Sequence, residues 1–354
     1  GFALFKRPLP PIAWKEPPKT SKEAYERLPA QVREKVEEGF SGKEFIIEEY
    51  NIIYVEDIDR EVKMVYIIEN RKIKILVNSY GAELNSILSK DGDIEYLWNR
   101  DPSGWKYQTP ILFPIVGKLK NLKYMVEGKT YELPQHGLAR LSEFSLVESS
   151  NNSIKLELIY SQESLRIYPF KFKLSCEYLL NNNEIEVRYS VSNLDNKKIY
   201  FSIGAHPAFI CPREENEVIE DYYLEFNKKE TASIMLLTDE GYLNRKSKLY
   251  LDNSNIISLS SNIFENDALI FSNLNSDVIK LKCKQSDRSV SVDFSMFPYL
   301  GIWAPKNGAN LICIEPWYGH TDFYDFYGDF SEKPGIIALD IDKTFNCSYK
   351  IIIN

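Results

Sequence analysis

The three histidines of this chain lie in segments whose backbone is expected to bend. His136 stands in the segment PQHGLAR and His206 in GAHPAF, while His320 closely follows Glu315 in EPWYGH. Glycine and proline beside a polar residue indicate a turn or a close backbone approach. Two histidines and a carboxylate brought together there would suit proton transfer, because imidazole titrates at about 6.5 and can donate or accept a proton. The alternative is a structural role for each histidine, and the spacing leaves both open.

Other catalytic arrangements are missing from the sequence. It contains no Gly-x-Ser-x-Gly turn for a nucleophilic serine, no Walker A loop and no Gly-x-Gly-x-x-Gly dinucleotide motif. A metal site is the other use of two histidines and a glutamate. The short paired spacings typical of metal ligands, such as His-x-x-x-His, are absent, however. The residues favour acid–base chemistry, and we expect no metal.

Aromatic side chains offer a clue to the substrate. Trp98, Trp105, Trp303 and Trp317 all lie near glycine, proline or asparagine. Aromatic faces can stack on the C–H face of a sugar while neighbouring polar groups bind its hydroxyls. Core packing is the alternative, since it accounts for most aromatic residues in a β-sandwich. With 13% aromatic residues, the chain has enough for both roles.

Composition excludes several functional classes. The 354 residues are 44% apolar and 27% charged, which is ordinary for a globular protein. A net charge of −8 argues against binding to nucleic acid or to an anionic membrane surface. No apolar run reaches the roughly 18 residues of a membrane span. The cysteines are odd in number and widely spaced, so we expect free thiols and a cytoplasmic location; they are Cys176, Cys211, Cys283, Cys313 and Cys347.

Two modules differ in composition. Residues 1–63 contain one asparagine, Asn51, and 6 of the 17 prolines, whereas the remaining 291 residues contain 25 asparagines. Ser21 is typical of a helix N-cap, and a second short helix is predicted over 30–38. We therefore predict a small, partly helical N-terminal extension over residues 1–63 and a main domain over residues 64–354. The extension would be an arm packed on the main domain or a small partner-binding module.

The main domain reads as a series of strands. Apolar and polar residues alternate in many short segments, with asparagine-rich and glycine-rich turns between them; examples are residues 154–158, 170–174, 185–192, 279–283 and 290–294. Helices between the strands, which a parallel sheet would require, are missing. The pattern predicts an all-β fold: a large antiparallel β-sandwich of two sheets packed face to face.

Several of these segments together resemble the aldose 1-epimerase (mutarotase) superfamily, and within it the branch encoded in bacterial lactose operons. The resemblance covers about Met64 to Asn354. It is carried by ordered blocks at residues 78–84, 96–99, 110–119, 133–137, 204–209, 301–303 and 313–319.

The resemblance implies a β-sandwich with an open sugar cleft that interconverts the α and β anomers of a free aldohexose such as galactose or glucose, without cofactor or metal. Glu315 would be the base that takes the proton of the anomeric hydroxyl. His206 would be the acid that protonates the ring oxygen. His136 would hydrogen-bond the substrate near that oxygen.

Four further residues are expected to bind substrate. Trp303 and Trp317 belong to the matching blocks, and Lys118 stands where mutarotases commonly have an arginine. Asp267 lies where the family places a hydroxyl-binding aspartate, with a turn-capping role as the alternative. Departures from the family pattern, which bear on substrate identity, are Leu138 and Leu141 at positions that often hold Phe and Asp, and His320 at a usually small or apolar position.

Two other functions stay open. A hexose-phosphate epimerase of the same superfamily would need a cationic pocket, for which the nearby candidates are Lys118, Lys120, Lys123 and Arg140. A non-catalytic sugar-binding or regulatory protein would keep the cleft but would not require an acid–base pair.

Overall fold

The computed structural model describes residues 45–47, 52–56 and 62–354. Nearly all regular structure in these residues is β-strand, arranged in two antiparallel sheets and two short ribbons. The predicted antiparallel β-sandwich is therefore confirmed. The helices predicted at Ser21 and over 30–38 lie outside the described residues, and the domain boundary after residue 63 stays a prediction.

The smaller sheet has six strands whose order follows the chain. They are β1 (Phe45–Ile47), β2 (Ile52–Glu56), β3 (Val62–Glu69), β4 (Ile73–Asn78), β5 (Leu84–Ser89) and β6 (Ile94–Glu95). Strands β1 and β2 fall within the predicted extension, and β2 pairs with β3 in the same sheet.

The larger sheet has fifteen strands. They are β7 (Ile111–Leu112), β10 (Ser145–Ser149), β11 (Ser153–Ile159), β12 (Phe172–Asn181), β13 (Glu184–Asn193), β15 (Ile203–Ala205), β16 (Ala208–Ile210), β17 (Tyr222–Leu237), β18 (Leu243–Ser258), β19 (Leu269–Ser272), β20 (Val278–Cys283), β21 (Ser286–Asp293), β22 (Tyr299–Trp303), β23 (Leu311–Tyr318) and β25 (Thr344–Ile353). The ribbons pair β8 (Lys123–Val126) with β9 (Lys129–Glu132), and β14 (Ile199–Phe201) with β24 (Ile337–Leu339).

Spatial order in the larger sheet is β10-β11-β12-β13-β25-β21-β20-β17-β19-β22-β23-β15-β7, with β16 beside β23 and β18 beside β17. Strands distant in sequence therefore become neighbours. One short α-helix, α1 (Gln162–Ile167), is capped by Ser161, whose hydroxyl accepts a hydrogen bond from the Ser164 N–H. Single 3₁₀ turns occur at Lys120–Leu122, Ala139–Leu141, Ile219–Asp221 and Phe330–Glu332. No helix in the described part of the chain is long and apolar enough to cross a membrane.

The sequence pattern explains the hairpin of β12 and β13. Side chains along β13 alternate between buried and accessible, as their alternating polarity predicts. The strands pair from Phe172 opposite Asn193 to Asn181 opposite Glu184. Asn182 makes the tight connection at φ 53, a left-handed conformation that asparagine tolerates better than most residues.

The main core lies between the two sheets. Ile75 and Val77 of β4 belong to the same buried cluster as Leu174 of β12 and Val187 of β13. Each such side chain contributes roughly 1.5–3 kcal/mol through removal of its surface from water. This core fixes the sheet on which the candidate site is built.

Candidate active site

All seven residues that the sequence analysis selected line one cleft of about 810 Å³. This volume lies in the usual range for small-molecule sites. The seven are Lys118, His136, His206, Asp267, Trp303, Glu315 and Trp317. The structure thus brings them together, while the role of each remains to be tested.

His206 and Glu315 face each other from neighbouring strands. Strands β15 and β16 both pair with β23: Gly204 of β15 lies opposite Trp317, and Ala208 of β16 lies opposite Cys313. The two strands therefore share one register along β23. Continuing that register puts His206 opposite Glu315. The antiparallel pairing of strands about a hundred residues apart therefore creates the imidazole–carboxylate pair.

The pair is close and buried. His206 Nε2 lies 3.2 Å from Glu315 Oε2, and the two side chains are 8% and 2% exposed. Burial raises the pKa of Glu315 well above its usual range, partly opposed by the indole N–H of Trp317. Burial also lowers the pKa of His206 to about 3, with a smaller contribution from the Arg140 charge. Both shifts disfavour charge, so between the two pKa values the pair holds one proton.

His136 is held in one orientation by the backbone of Gly117. The backbone N–H of Gly117 donates to the ring nitrogen Nδ1 of His136 at 3.1 Å. The backbone N–H of His136 in turn donates to the Gly117 carbonyl at 2.7 Å. Burial lowers the pKa of His136 well below its usual range, assisted by His206 and Arg140. The neutral ring accepts at Nδ1, so its proton is on Nε2. With its proton there, His136 Nε2 faces the Gln135 side-chain amide, 3.3 Å from the amide nitrogen, and the ring can donate to a substrate when that amide turns away.

Trp317 lies on the sheet surface because two neighbouring residues have no side chain. Gly301 of β22 lies opposite Glu315 of β23, and a Cβ added at Gly301 would collide with the Trp317 ring. A Cβ added at Gly204, opposite Trp317 on β15, would lie 2.7 Å from it. The indole N–H of Trp317 is buried and has no hydrogen-bond partner. This ring therefore forms part of the cleft lining, with its N–H near enough to the Glu315 carboxylate to favour the charged form of that group.

Two more tryptophans surround His206. Trp105 stacks on its imidazole, with ring centres 4.6 Å apart and planes 28° apart. Trp303 meets the same imidazole edge-on at 5.8 Å. The loop that carries Trp105 is tied to the loop after Trp303 by Asn307, whose amide donates to two backbone carbonyls at 2.9 Å. These contacts fix the imidazole plane and exclude water from its faces.

Lys118 and Asp267 converge from different elements. A Cβ at Gly241 would lie 3.3 Å from Lys118 Nζ and 3.8 Å from Asp267 Oδ2. Asp267 Oδ1 accepts a hydrogen bond from the Ala268 N–H at 2.8 Å, so its local turn role is present as well. Lys118 Nζ also lies 4.9 Å from the centre of the Tyr242 ring. One cation and one carboxylate oxygen thus face the cleft near the same point.

His320 does not line the cleft. Its ring nitrogen Nδ1 lies 2.7 Å from the Thr321 carbonyl, and the ring packs edge-on against Tyr299 and Phe323. Burial lowers its pKa to about 4, assisted by the Lys333 charge. Of the three histidines, His136 and His206 line the cleft, and His320 is buried outside it.

Among the cleft residues that the sequence analysis left out of its predicted site are Arg140, Tyr107 and Asn307. The guanidinium of Arg140 lies 4.6 Å from the centre of the Tyr107 ring, and its Nη2 donates to the Gln135 carbonyl at 2.7 Å. Arg140 follows the recognised block at residues 133–137 and was considered only as a cation for the phosphate alternative, so a signal for it existed. Tyr107 and Asn307 lie in loops without a motif, and pattern reasoning had no means to find them.

A group of possible metal ligands includes two cleft residues, His206 and Glu315, and one fully buried residue that does not line the cleft, Cys313. His206, Cys313 and Glu315 each offer a ligand atom, and these atoms lie within 4.8 Å of one another. Cys313 was expected only as a free thiol. Burial raises the pKa of this thiol well above its usual range.

Fold and site together define a β-sandwich with a buried histidine–glutamate pair in a cleft. A sequence model of the family described as aldose 1-epimerase matches residues 64–329. The chain belongs to the aldose 1-epimerase family.

Individual relatives agree with this family assignment. The protein LacX (chromosomal) of Lactococcus lactis subsp. lactis is 35% identical over 295 residues, which cover 81% of this chain and 98% of that protein. A galactose mutarotase related enzyme from Lactobacillus acidophilus is 35% identical, with a TM-score of 0.80 over 82% of this chain and 97% of that chain. A galactose mutarotase-like protein from Lactobacillus casei is 29% identical, with a TM-score of 0.78 over 82% of this chain and all of that one. The likeness to LacX supports the branch that the sequence indicated.

Proposed function

We propose that this protein is an aldose 1-epimerase that interconverts the α and β anomers of a free aldohexose by opening and closing its ring. The observation that carries the proposal is the buried His206–Glu315 pair, with 3.2 Å between nitrogen and oxygen, in the floor of the cleft. The hydroxyl oxygen and the ring oxygen of a pyranose are both bonded to the anomeric carbon. Two adjacent proton-transfer atoms can therefore face one oxygen each.

In ring opening, the carboxylate of Glu315 takes the proton of the anomeric hydroxyl while His206 Nε2 gives a proton to the ring oxygen. The bond between the anomeric carbon and the ring oxygen breaks, and the anomeric carbon becomes an aldehyde. After rotation about its bond to C2, the hydroxyl adds to the other face of the aldehyde. The proton transfers then run in reverse, and both groups return to their starting state.

The proton count of the pair suits both halves of this cycle. Ring opening needs the proton on His206, and ring closure needs it on Glu315. Burial favours the second arrangement, because it disfavours charge on both groups. One proton, moved between two atoms 3.2 Å apart, distinguishes the two states. The polar groups of a bound sugar would offset the cost of the charged arrangement.

His136 and Trp317 would assist by donating hydrogen bonds. The tautomer of His136 set by Gly117 leaves Nε2–H as a donor, and a neutral donor does not compete as a proton source. The Trp317 ring lines the cleft and its buried N–H makes no well-aligned hydrogen bond, so it would donate to a substrate oxygen bound beside Glu315. Lys118 and Asp267 would bind hydroxyls at the side of the cleft near Gly241.

Of the four cations considered for the phosphate alternative, Lys118 and Arg140 line the cleft and Lys120 and Lys123 do not; Lys106 and Lys306 line it as well. The same lining carries the carboxylates Asp239, Glu240, Asp267 and Glu315, so it is not the predominantly cationic pocket that a phosphate requires. Lys120 hydrogen-bonds the Tyr324 carbonyl, and Lys123 lies 3.3 Å from Glu132.

Polarimetry on freshly dissolved α-D-glucose, α-D-galactose and their 6-phosphates tests the proposal. We expect the purified protein to accelerate the approach to anomeric equilibrium for at least one free sugar. Acceleration restricted to the phosphates would establish the alternative substrate class. Saturable sugar binding with no rate above the spontaneous reaction would establish a binding protein and refute the proposal.

A further inference from the structure

Three kinds of metal ligand meet at the cleft: His206 and Glu315 line it, and the fully buried Cys313 lies next to them without lining it. Cys313 and Glu315 are two residues apart on β23, so both side chains project from the same face of the sheet. His206 approaches from the opposing strands. Cys313, His206 and Glu315 are 0%, 6% and 1% exposed. A thiol, an imidazole and a carboxylate thus meet in one water-poor position.

Two of these groups have buried atoms without protein partners. His206 Nδ1 and Glu315 Oε2 are both buried, and neither has a hydrogen-bond partner in the described structure. Glu315 Oε2 also lies 3.2 Å from the other imidazole nitrogen, Nε2, in a geometry that is not a hydrogen bond. Buried polar atoms left in this way are costly. A cation between Glu315 Oε2 and His206 Nε2 would give the carboxylate oxygen a partner, whereas His206 Nδ1, on the other side of the ring, would stay without one.

The distances suit a small tetrahedral ion. Zinc binds histidine nitrogen and carboxylate oxygen at about 2.0–2.2 Å and thiolate sulfur at about 2.3 Å, so its ligand atoms lie roughly 3.3–3.8 Å apart. The His206–Glu315 separation is 3.2 Å, and all three ligand atoms lie within 4.8 Å of one another. Small side-chain movements would close the set around one ion, with a water in the fourth position. Thiolate and imidazole favour zinc-like ions over magnesium or calcium, which prefer oxygen ligands.

We propose that His206, Cys313 and Glu315 form an inhibitory site for a zinc-class divalent cation. The ion binds the two atoms that transfer protons in the proposed reaction together with the Cys313 sulfur. It displaces two protons, the one of the Cys313 thiol and the one held by the His206–Glu315 pair, and both are released to solvent. Metal and substrate therefore compete for the same atoms. The inhibition rests on the proposed function, whereas the metal site itself does not.

Cobalt(II) is the probe for the site, because a thiolate ligand gives it a charge-transfer absorption band. We expect one cobalt per wild-type chain with this band, its displacement by Zn²⁺, and tighter binding as pH rises. Cys313→Ala should lose the band, and Cys283→Ala, a buried cysteine outside the cleft, should keep it. No band in the wild type, or an unchanged band in Cys313→Ala, overturns the proposal.

Activity provides a separate readout. For a protein that turns over sugar, Zn²⁺ should inhibit in competition with the sugar, and Cys313→Ala should need at least about tenfold more Zn²⁺ for the same fractional inhibition. Equal Zn²⁺ sensitivity in both would contradict the site. Should Cys313→Ala fail to fold, His206→Ala replaces it in the cobalt titration, with loss of one-to-one binding expected. A cobalt band without sugar turnover would refute the proposed function and leave the metal site standing.

Discussion

Substitution of Lys333 by methionine should strongly destabilise the protein, because it would leave a buried carboxylate without its cation. Lys333 Nζ donates to Asp322 Oδ1 at 2.7 Å and to the His320 carbonyl at 2.9 Å. The Lys333 and Asp322 side chains are 1% and 4% exposed. Burial lowers the pKa of Lys333, while Asp322 opposes that shift and keeps the charge.

The size of the loss follows from that burial. Breaking a buried pair by removal of one partner costs about 3–5 kcal/mol, and replacement of both partners costs much less. We therefore expect Lys333→Met to lower the free energy of unfolding by about 3–5 kcal/mol and the double variant Lys333→Met/Asp322→Asn to recover part of it. Lys282 and Glu225, each 34% exposed at 3.0 Å, are the matched surface pair. Lys282→Met should cost about 1 kcal/mol or less.

The same pair supports the cleft. The Asp322 N–H donates to the Lys118 carbonyl at 3.0 Å, and Asp322 Oδ2 accepts from the Lys120 N–H at 2.8 Å. Loosening of this segment should raise the KM for sugar more than it lowers kcat, since Lys118 would bind hydroxyls. Urea unfolding followed by tryptophan fluorescence, together with polarimetry, measures both effects. A Lys333→Met variant within 1 kcal/mol of wild type, or no better restored by the second substitution, would refute this reasoning.

Three further predictions concern the acid–base pair and its support. The rate should fall at low pH, because His206, whose pKa is lowered to about 3, then takes up a second proton on the pair. It should also fall at high pH, because Glu315, whose pKa is raised, then loses the one proton that the pair holds. A pH–rate profile without both limbs would contradict the one-proton pair. Gly301→Ala should displace the ring of Trp317 and lower the rate with little loss of secondary structure, and unchanged kinetics would show that this ring has no role in turnover. The neutral form of His320 stabilises the fold above about pH 6.5, and this stabilisation is lost as pH falls through its folded pKa of about 4. His320→Asn should therefore reduce the change in unfolding free energy over this pH range by roughly 3 kcal/mol. An equal pH dependence in both proteins would contradict this role of His320.

The fold could be predicted because its signal is local. Alternation at 185–192 falls within β13, and alternation at 279–283 falls within β20. In each strand the alternation of apolar and polar residues follows the alternation of buried and accessible positions. The sandwich class is therefore predicted by many independent segments. The order of strands in the larger sheet does not follow, because pairing of distant strands depends on the whole core.

The site was predictable only in its parts. Motif resemblance selected His206 and Glu315, and the register of β15 and β16 on β23 explains why they meet. Arg140 and Asn307 act through loop geometry, which leaves no periodic trace. Cys313 was expected only as a free thiol: alternation along β23 puts it on the same face as Glu315, and the pairing of the strands then brings His206 to both.

The rate of anomer interconversion in two single variants tests the central claim most directly. Polarimetry on the preferred free sugar should show that Glu315→Gln and His206→Ala each lose about 10²–10⁴-fold in rate, the usual contribution of a positioned acid or base. His320→Asn, a buried histidine outside the cleft, is the control and should keep a rate close to that of the wild type. Circular dichroism of each variant verifies that the fold survives. Wild-type rates in either Glu315→Gln or His206→Ala would contradict the account.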